Sequence, residues 1–466
     1  MAFDTEVLIP ALRAHLFEWL PRQRWFDAID REVEDVTVIR TEAVRRDWPL
    51  VMWVPLEVMI DGAPVICQTV LAFAAEVPDE VPDRAIVGEV PTGGEAVMVY
   101  DALASPVTAA AFVAHVSGGL TSSSPDRVVD TPWITTVELP QQREVTLYRR
   151  VQAGAHPDVE LTSLIAEAGH SIVRPPAAVW RKNHYDLATL RRNVRRGTDG
   201  AELARASVSE LLRRRCQPRE NPLDMMASLV DLGRAVSEMH TDLADRLGVS
   251  DGTGDALSRN LAARLPRQLD DAAADRVAAA YRRLSHADDL GAFIRIHGNL
   301  ELRSVERTRN GWLMTRFGCN PDSSLVFEQV PLSPLCDIAS LLHGFGVTAA
   351  SALADVIAER SADAIATQGS DEPDFYEQEH RRELAVLAEA WEERSVDALI
   401  AGYTSNDAVH RLLPVERISR DALLALFELE LSVRDAVREL SRDPELLRIP
   451  VEDVEDLATG DVRTRW

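Results

Sequence analysis

The stretch Phe293-Ile294-Arg295-Ile296-His297-Gly298-Asn299-Leu300-Glu301-Leu302 interrupts a half of the chain that otherwise has helical spacing. One apolar run leads to His-Gly-Asn. A second, Gly311-Trp312-Leu313-Met314-Thr315, ends in Arg316-Phe317-Gly318. Short apolar runs bounded by turn residues read as strands. A strand–turn–strand unit is therefore expected over 293–321, with His297, Gly298 and Asn299 at its turn. A β unit enclosed by helices restricts the chain to an α+β architecture.

The N-terminal half carries the other β signals. A helix is expected from Glu6 to Leu20, stopped by Pro21. Strand-like runs follow at Val36–Ile39, Leu50–Ile60 and Pro64–Leu71, with Asp61-Gly62 as a hairpin turn. Further on, Ala109–Val116 reads as a helix and Gly118–Asp126 as a linker. Trp133–Leu139 with Glu144–Tyr148 reads as a hairpin, and Val179-Trp180 as a short strand. Pro157 opens a helix with acids in its first turn. From about 200 onward the apolar period is helical in Ala201–Arg215, Asp224–Leu247, Ala256–Leu284, Leu335–Glu359, Asp374–Gly402, Ala408–Leu413 and Arg420–Leu440. The division expected is a cap over 1–88, an intermediate domain over 89–200 and a helical domain over 201–466.

The 466 residues carry a net charge of -25, which argues against nucleic-acid or anionic-membrane partners. No run of 18 apolar residues and no secretory signal is visible, so a cytoplasmic protein is expected. Cys67, Cys216, Cys319 and Cys336 are scattered, which fits reduced thiols rather than a zinc site. Lys182 is the only lysine among 50 Lys plus Arg. The tract Arg191–Arg215 reads as a solvated helix face, with an anion or partner patch as the alternative. Asp251-Gly252-Thr253-Gly254 lacks the strand that a dinucleotide fingerprint needs and reads as a loop. His240 and His297 are expected to pack and to brace rather than to exchange protons.

Several short segments, in order, resemble the actinobacterial maltokinase family, a branch of the aminoglycoside-phosphotransferase-like, protein-kinase-like fold. Leu20-Pro21-Arg22-Gln23-Arg24-Trp25-Phe26 is similar to the start of that family's cap. Tyr148-Arg149-Arg150, Gly154 and Pro157-Asp158-Val159-Glu160 resemble its N-lobe strand-to-helix passage. Leu232-Gly233-Arg234 with Glu238-Met239-His240, Arg295-Ile296-His297-Gly298, and Ser333-Pro334-Leu335 with Asp337-Ile338-Ala339 resemble C-lobe segments. Phe427-Glu428-Leu429-Glu430, Pro444 and Ile449-Pro450 are similar to its C-terminal helix and exit. The resemblance implies a two-lobed fold and a kinase that makes maltose 1-phosphate from maltose with ATP and magnesium. Trehalose synthase would be its companion.

The departures fall on the chemistry that the resemblance implies. The catalytic Asp position is Asn299, the magnesium-binding Gln position is Ser304 and the metal-loop Asp position is Arg316. The nucleotide Lys position is Thr146, while its helix partner Glu160 remains. The sugar-site helix has changed around Arg434, Asp435 and Arg438. An amide is a poor base, and general-base catalysis is worth roughly 10²- to 10⁴-fold. A guanidinium repels magnesium, which takes hard oxygen ligands. A register slip would bring Asp322 or Glu328 to the metal loop, and Arg149 or Arg150 could replace the missing lysine. Glu301 should face elsewhere, and Lys182 lies past the helix.

Three readings follow. The first is an inactive, pseudokinase-like member, with no cofactor, that serves trehalose synthase or an active maltokinase as a structural or regulatory partner. The second is an active ATP- and magnesium-dependent sugar kinase with a rearranged site. The third is a binding module for sugar or nucleotide. Arg316 adds the option of holding phosphate without metal.

Overall fold

The structure is a computed structural model that describes residues 5–26, 32–92, 96–119, 123–151, 153–192, 194, 197–263, 271–283, 289–318, 330–368 and 375–442. It divides into two compact units, residues 1–163 with 174–195 and residues 164–173 with 196–466.

The first unit opens with α1 (Thr5–Trp19). Strands β1 (Val33–Val38), β2 (Glu42–Arg45), β3 (Leu50–Ile60), β4 (Ala63–Ala74), β5 (Ile86–Val90) and β6 (Val97–Asp101) follow. After α2 (Pro106–Val116) come β7 (Arg127–Thr131), β8 (Ile134–Leu139), β9 (Arg143–Tyr148), α3 (Pro157–Glu167), β10 (Ala178–Lys182) and β11 (Tyr185–Arg192). The first sheet runs β1-β3-β4-β6-β5 with β2 also on β3; the second runs β10-β11-β9-β8-β7. Asp61 and Gly62 both take positive φ, 51° and 74°, which suits the tight turn between β3 and β4.

The period-two pattern of β3 and β4 explains why this unit does not divide at 88. On one face, Leu50, Val54, Leu56, Val58, Leu71 and Phe73 pack with Leu12, Leu16 and Trp19 of α1. On the other, Val51, Trp53, Val70 and Ala72 share a core with Phe112 of α2 and with Val137, Val145, Leu147, Ala188 and Leu190 of the second sheet. The first sheet is a wall between two cores. The expected boundary at 88 lies inside β5, and β5 pairs with β6 as far as Tyr100.

Two buried side chains reinforce the seam between the sheets. The Gln68 amide donates to the carbonyls of Tyr148 (2.6 Å) and Leu187 (2.9 Å) and accepts from the Trp53 indole (2.6 Å). Arg149 donates to Thr135 (2.8 Å) and to the Asp101 carboxylate (3.0 Å), and it lies over the Trp25 ring at 4.3 Å.

The second unit holds β12 (Thr198–Asp199), α4 (Gly200–Arg214), α5 (Met226–Leu247), β13 (Ser250–Asp251), α6 (Gly254–Ala263), α7 (Asp271–Arg283), β14 (Ala292–Phe293), β15 (Val305–Thr308), β16 (Gly311–Met314), α8 (Leu335–Gln368), α9 (Phe375–Thr404) and α10 (Arg417–Arg442). Strands β12, β15 and β16 form a small sheet, and β13 pairs with β14. The strand–turn–strand expectation needs correction here. Ala292–Phe293 and the hairpin β15–β16 are separate, and His297, Gly298 and Asn299 lie in the loop between them. The hairpin turns at Arg309-Asn310.

Helices α5 and α9 cross where both lack a side chain. A Cβ on Gly233 would lie 2.1 Å from the Leu399 carbonyl, and one on Gly402 would lie 2.0 Å from that of Val230. Only glycine admits so close an approach. Within α8, Leu335–Glu359 has a mean hydropathy of 1.5 over its most apolar window, enough by length and composition to span a membrane. Its Leu335, Ile338, Leu341, Leu342 and Phe345 are buried in the core of this unit.

Candidate functional site

The loop of the second unit is held by one carboxylate. Asp337, in the first turn of α8, is 1% exposed. Its Oδ2 accepts the His297 backbone N–H (2.8 Å) and its Oδ1 accepts that of Gly298 (3.0 Å). Oδ2 also meets His240 Nε2 at 3.0 Å, and His240 Nδ1 meets the Tyr403 hydroxyl at 2.9 Å. Burial keeps the Tyr403 phenol protonated far above its usual range. The crossing of α5 and α9 at Gly233 and Gly402 brings His240 to Tyr403. His240 is thus a packing histidine. The sequence segment Asp337-Ile338-Ala339 was visible; that its acid clamps the loop is a finding of the structure.

His297 is fully buried and braces the loop. Its Nε2 faces the Thr315 carbonyl at 3.0 Å, so Nε2 must carry the proton. Nδ1 accepts the Asn299 N–H at 3.3 Å, and the ring lies 4.1 Å from that of Phe317. Both nitrogens are therefore engaged within the loop. Gly298 takes φ 78°, and a Cβ there would sit 4.0 Å from the Gly318 Cα.

Ser304 is 1% exposed. Its hydroxyl lies 2.7 Å from the Asn299 carbonyl and 2.8 Å from that of Glu301, and it accepts the Glu301 N–H (2.7 Å). Glu301 and Ser304 form a capping box around the short helical turn Leu302–Ser304. The position that the resemblance assigns to a magnesium-binding Gln is here an internal brace. Asn299 is half-buried and its side chain carries an amide where the resemblance implies a carboxylate.

Arg316 has φ 66°. The left-handed region costs a bulky residue about 1–3 kcal/mol and persists where the surroundings fix it. Here Thr315 N–H donates to the Ser304 carbonyl (2.9 Å), Gly318 N–H donates to the His297 carbonyl (2.9 Å), and His297 holds the Thr315 carbonyl. Among the described residues the half-buried guanidinium has no hydrogen-bond or ion-pair partner. His297, Gly298, Asn299, Ser304 and Arg316 are thus assembled in one loop cluster. Asp322 and Glu328 lie outside the described residues.

In the first unit, Thr146 is buried on β9 opposite Thr189 of β11 and Thr136 of β8. The same face carries a charged network. Asp158 Oδ2 accepts from Arg191 (2.7 Å) and from the Tyr148 hydroxyl (2.7 Å). Arg191 also donates to Thr189 (3.0 Å) and to the Arg174 carbonyl (2.9 Å). Burial opposes the Asp158 charge, but Arg191 and His156 outweigh it and hold the carboxyl below its usual range. His156 stacks on Tyr148 with ring centroids 3.7 Å apart, and burial lowers its imidazole to about 4. Glu160 lies half-buried on α3.

Arg191 lies on β11 and not on the helical face expected for the tract that begins with it. The alternation Leu187, Thr189, Arg191 against Ala188 and Leu190 was the signal for a strand. Arg149 is spent on Asp101 and is not free to replace a lysine. Lys182 pairs with Glu42. The later arginines of the tract form a solvated, paired face: Arg213 meets Glu359 and Arg214 meets Glu210. Arg195 and Arg196 lie outside the described residues. On α10, Asp435 accepts from His343 of α8 at 2.8 Å, Arg434 is half-buried, and the Arg438 side chain lies outside the described residues.

Among the described residues, those at the positions that the resemblance assigns to magnesium do not fit the ion. The two positions that would supply oxygen ligands are an arginine and a serine whose hydroxyl is consumed by the loop. Among the described residues no group of three or more His, Cys, Asp and Glu could hold a metal.

Residues 19–104 match the family model of the maltokinase N-terminal cap domain. The whole chain is similar in structure to a glucosamine kinase in complex with glucosamine, ADP and inorganic phosphate. That match has a TM-score of 0.54 and 16% identity, and it covers 98% of this chain and 97% of that one. A second crystal form of a glucosamine kinase gives a TM-score of 0.57 at 15% identity, covering 98% of each chain. At such identity the likeness concerns the fold. Cap and fold together bear out the resemblance to the maltokinase family and the two-lobed, kinase-like α+β fold class.

Proposed function

Starting from a maltokinase-type cap on a sugar-kinase fold, we propose that this chain is a pseudokinase. It keeps the frame of a sugar phosphotransferase, does not transfer phosphate, and acts as a structural or regulatory partner in the conversion of trehalose and maltose to α-glucan. Trehalose synthase or an active maltokinase is the partner favoured. The observation that carries this reading is the state of the loop around Asn299. The base position is an amide, the metal position is a cation, and the Ser304 hydroxyl is satisfied internally. The relocation of charge in the first unit supports it. At the lysine position stands Thr146, and the neighbouring cation Arg191 is bound to Asp158, Thr189 and a carbonyl.

The test is coupled ADP release with ATP and magnesium across maltose, glucose, trehalose and glucosamine, the last because the structural neighbours bind it. No turnover above the ATP background is expected. Robust turnover that Asn299→Ala abolishes overturns the proposal. Co-purification from the native host tests the partner role, and a solitary protein counts against it.

A further inference from the structure

The geometry points to a metal-free phosphate site at Arg316. The chemical class of ligand is a phosphate group, free or carried by a nucleotide or sugar. The inference deepens the pseudokinase reading of the same loop and rests on it.

Three observations carry it. First, among the described residues of the second unit two non-glycine residues have positive φ, Arg215 and Arg316. Arg215 caps the C-terminus of α4, where the left-handed conformation is ordinary. Arg316 caps nothing, so the strain there has no helix-ending role. Such outliers concentrate at ligand clamps, where the surrounding structure fixes them. Second, the described fixing bonds are backbone bonds or bonds from His297 and Thr315: Thr315 N–H and hydroxyl to the Ser304 carbonyl, Gly318 N–H to His297, and His297 Nε2 to Thr315. None uses the guanidinium. Third, the guanidinium is half-buried and, among the described residues, unpartnered in a chain with a net charge of -25. On the adjoining hairpin Arg307 lies 3.6 Å from Asp231, whereas the half-buried Arg316 meets no carboxylate among the described residues.

A planar guanidinium offers two parallel N–H donors to two phosphate oxygens. A magnesium ion in this family's fold would bridge phosphate to carboxylates. With a cation built into the chain, the phosphate is met directly and the ion is not needed. Added magnesium then competes for the phosphate.

Titration calorimetry on the full chain in EDTA tests this, with inorganic phosphate, glucose 1-phosphate and ATP as separate ligands and maltose as the phosphate-free control. Binding of at least one phosphate compound is expected, unchanged or weakened by magnesium. The tightest of the three names the source. Arg316→Gly removes the guanidinium and fits the left-handed backbone, so folding is retained. It should weaken binding by roughly ten- to a hundredfold. Arg316→Lys should recover part of the loss. No binding by any of the three in EDTA, binding that requires magnesium, or binding untouched by Arg316→Gly overturns the site. Those results leave the absence of turnover standing, whereas turnover with magnesium removes the pseudokinase reading by a separate measurement.

Discussion

Acidification from pH 7 to pH 5 should destabilise the first unit through His156. The ring is buried between Tyr148, stacked on it, and the start of α3. Its Nδ1 accepts the Asp158 N–H at 3.2 Å, and its own backbone N–H donates to Asp186 at 2.9 Å. It therefore caps the helix as an Asn or Asp would. Protonation would break that acceptor bond and bury a cation. Burial is the largest influence and lowers the imidazole from 6.5 to about 4; Asp158 and Asp186 pull it up, and Arg150 and Arg191 push it down. The sign is fixed by comparing the two states. Above 6.5 neither state is protonated and the contribution is fully present. Between 6.5 and about 4 the unfolded chain holds one more proton, so stability falls as pH falls. The slope is about 1.4 kcal/mol per pH unit, which gives about 2 kcal/mol lost by pH 5 and about 3 by pH 4. Asp158 titrates below its usual range and stays charged through this window. The assay is urea unfolding at pH 7 and pH 5 for the native chain and for His156→Asn. Asparagine keeps a cap acceptor and does not titrate. The native chain should lose about 2 kcal/mol more than the variant, since all other titrations are common to both. Equal losses, or an imidazole NMR midpoint near 6.5, would refute the assignment.

Other perturbations address the loop and the seam. Asp337→Ala leaves two backbone N–H groups and His240 without their acceptor and should cost about 3–5 kcal/mol in urea unfolding; a loss under about 1 kcal/mol would mean the clamp is redundant. Ser304→Gln introduces the residue that the maltokinase resemblance implies at a site that is 1% exposed. It should cost about 1–3 kcal/mol by overfilling and breaking the capping box, with no magnesium affinity gained in a metal titration. Arg149→Met strands the Asp101 carboxylate in the core and should cost about 3–5 kcal/mol, part of it recovered when Asp101→Asn is added. A double variant no more stable than the single one would show that the charge pair is not the cause.

Much of the fold was legible because it rests on periodicity. The two-residue alternation of Leu50–Ile60 and the turn Asp61-Gly62 specify β3 and β4 from local sequence. The long helices of the second unit show their 3.6-residue period, and α4, α5 and α9 begin within two residues of their expected starts. The His-Gly-Asn segment deceived because its apolar residues face a loop core rather than a ladder. Ile294 makes a single bridge to Leu332, and the chain then leaves the sheet. The boundary expected at 88 marks a change from a β-rich to a mixed pattern, and burial continues across it. Site identities were visible as substitutions, yet their roles were not. That Ser304 turns inward, that Asp337 clamps two N–H groups and that Arg191 pairs with Asp158 depend on contacts 5 to 40 residues apart in sequence.

The frame and the chemistry of this fold separate cleanly in one respect. Among the described residues, the bonds that shape the Asn299 loop come from the backbone, from Asp337, and from the side chains of His297, Glu301, Ser304 and Thr315. None needs a carboxylate at 299 or 316. A frame built this way keeps its shape whichever side chains stand at 299 and 316, because the groups that hold the loop are not the groups that would act. The converse also holds. Ser304 and the Asp158–Arg191 pair are not blank remnants: each has become a satisfied structural contact, and a satisfied buried group resists reversal. Arg316 is the exception. Its backbone is held in a costly conformation by its neighbours while its guanidinium makes no hydrogen bond or ion pair among the described residues. A strained residue whose side chain makes no such bond is difficult to explain as frame, and that asymmetry is why a ligand for Arg316, rather than for Asn299 or Ser304, is the place to look for what this loop still does.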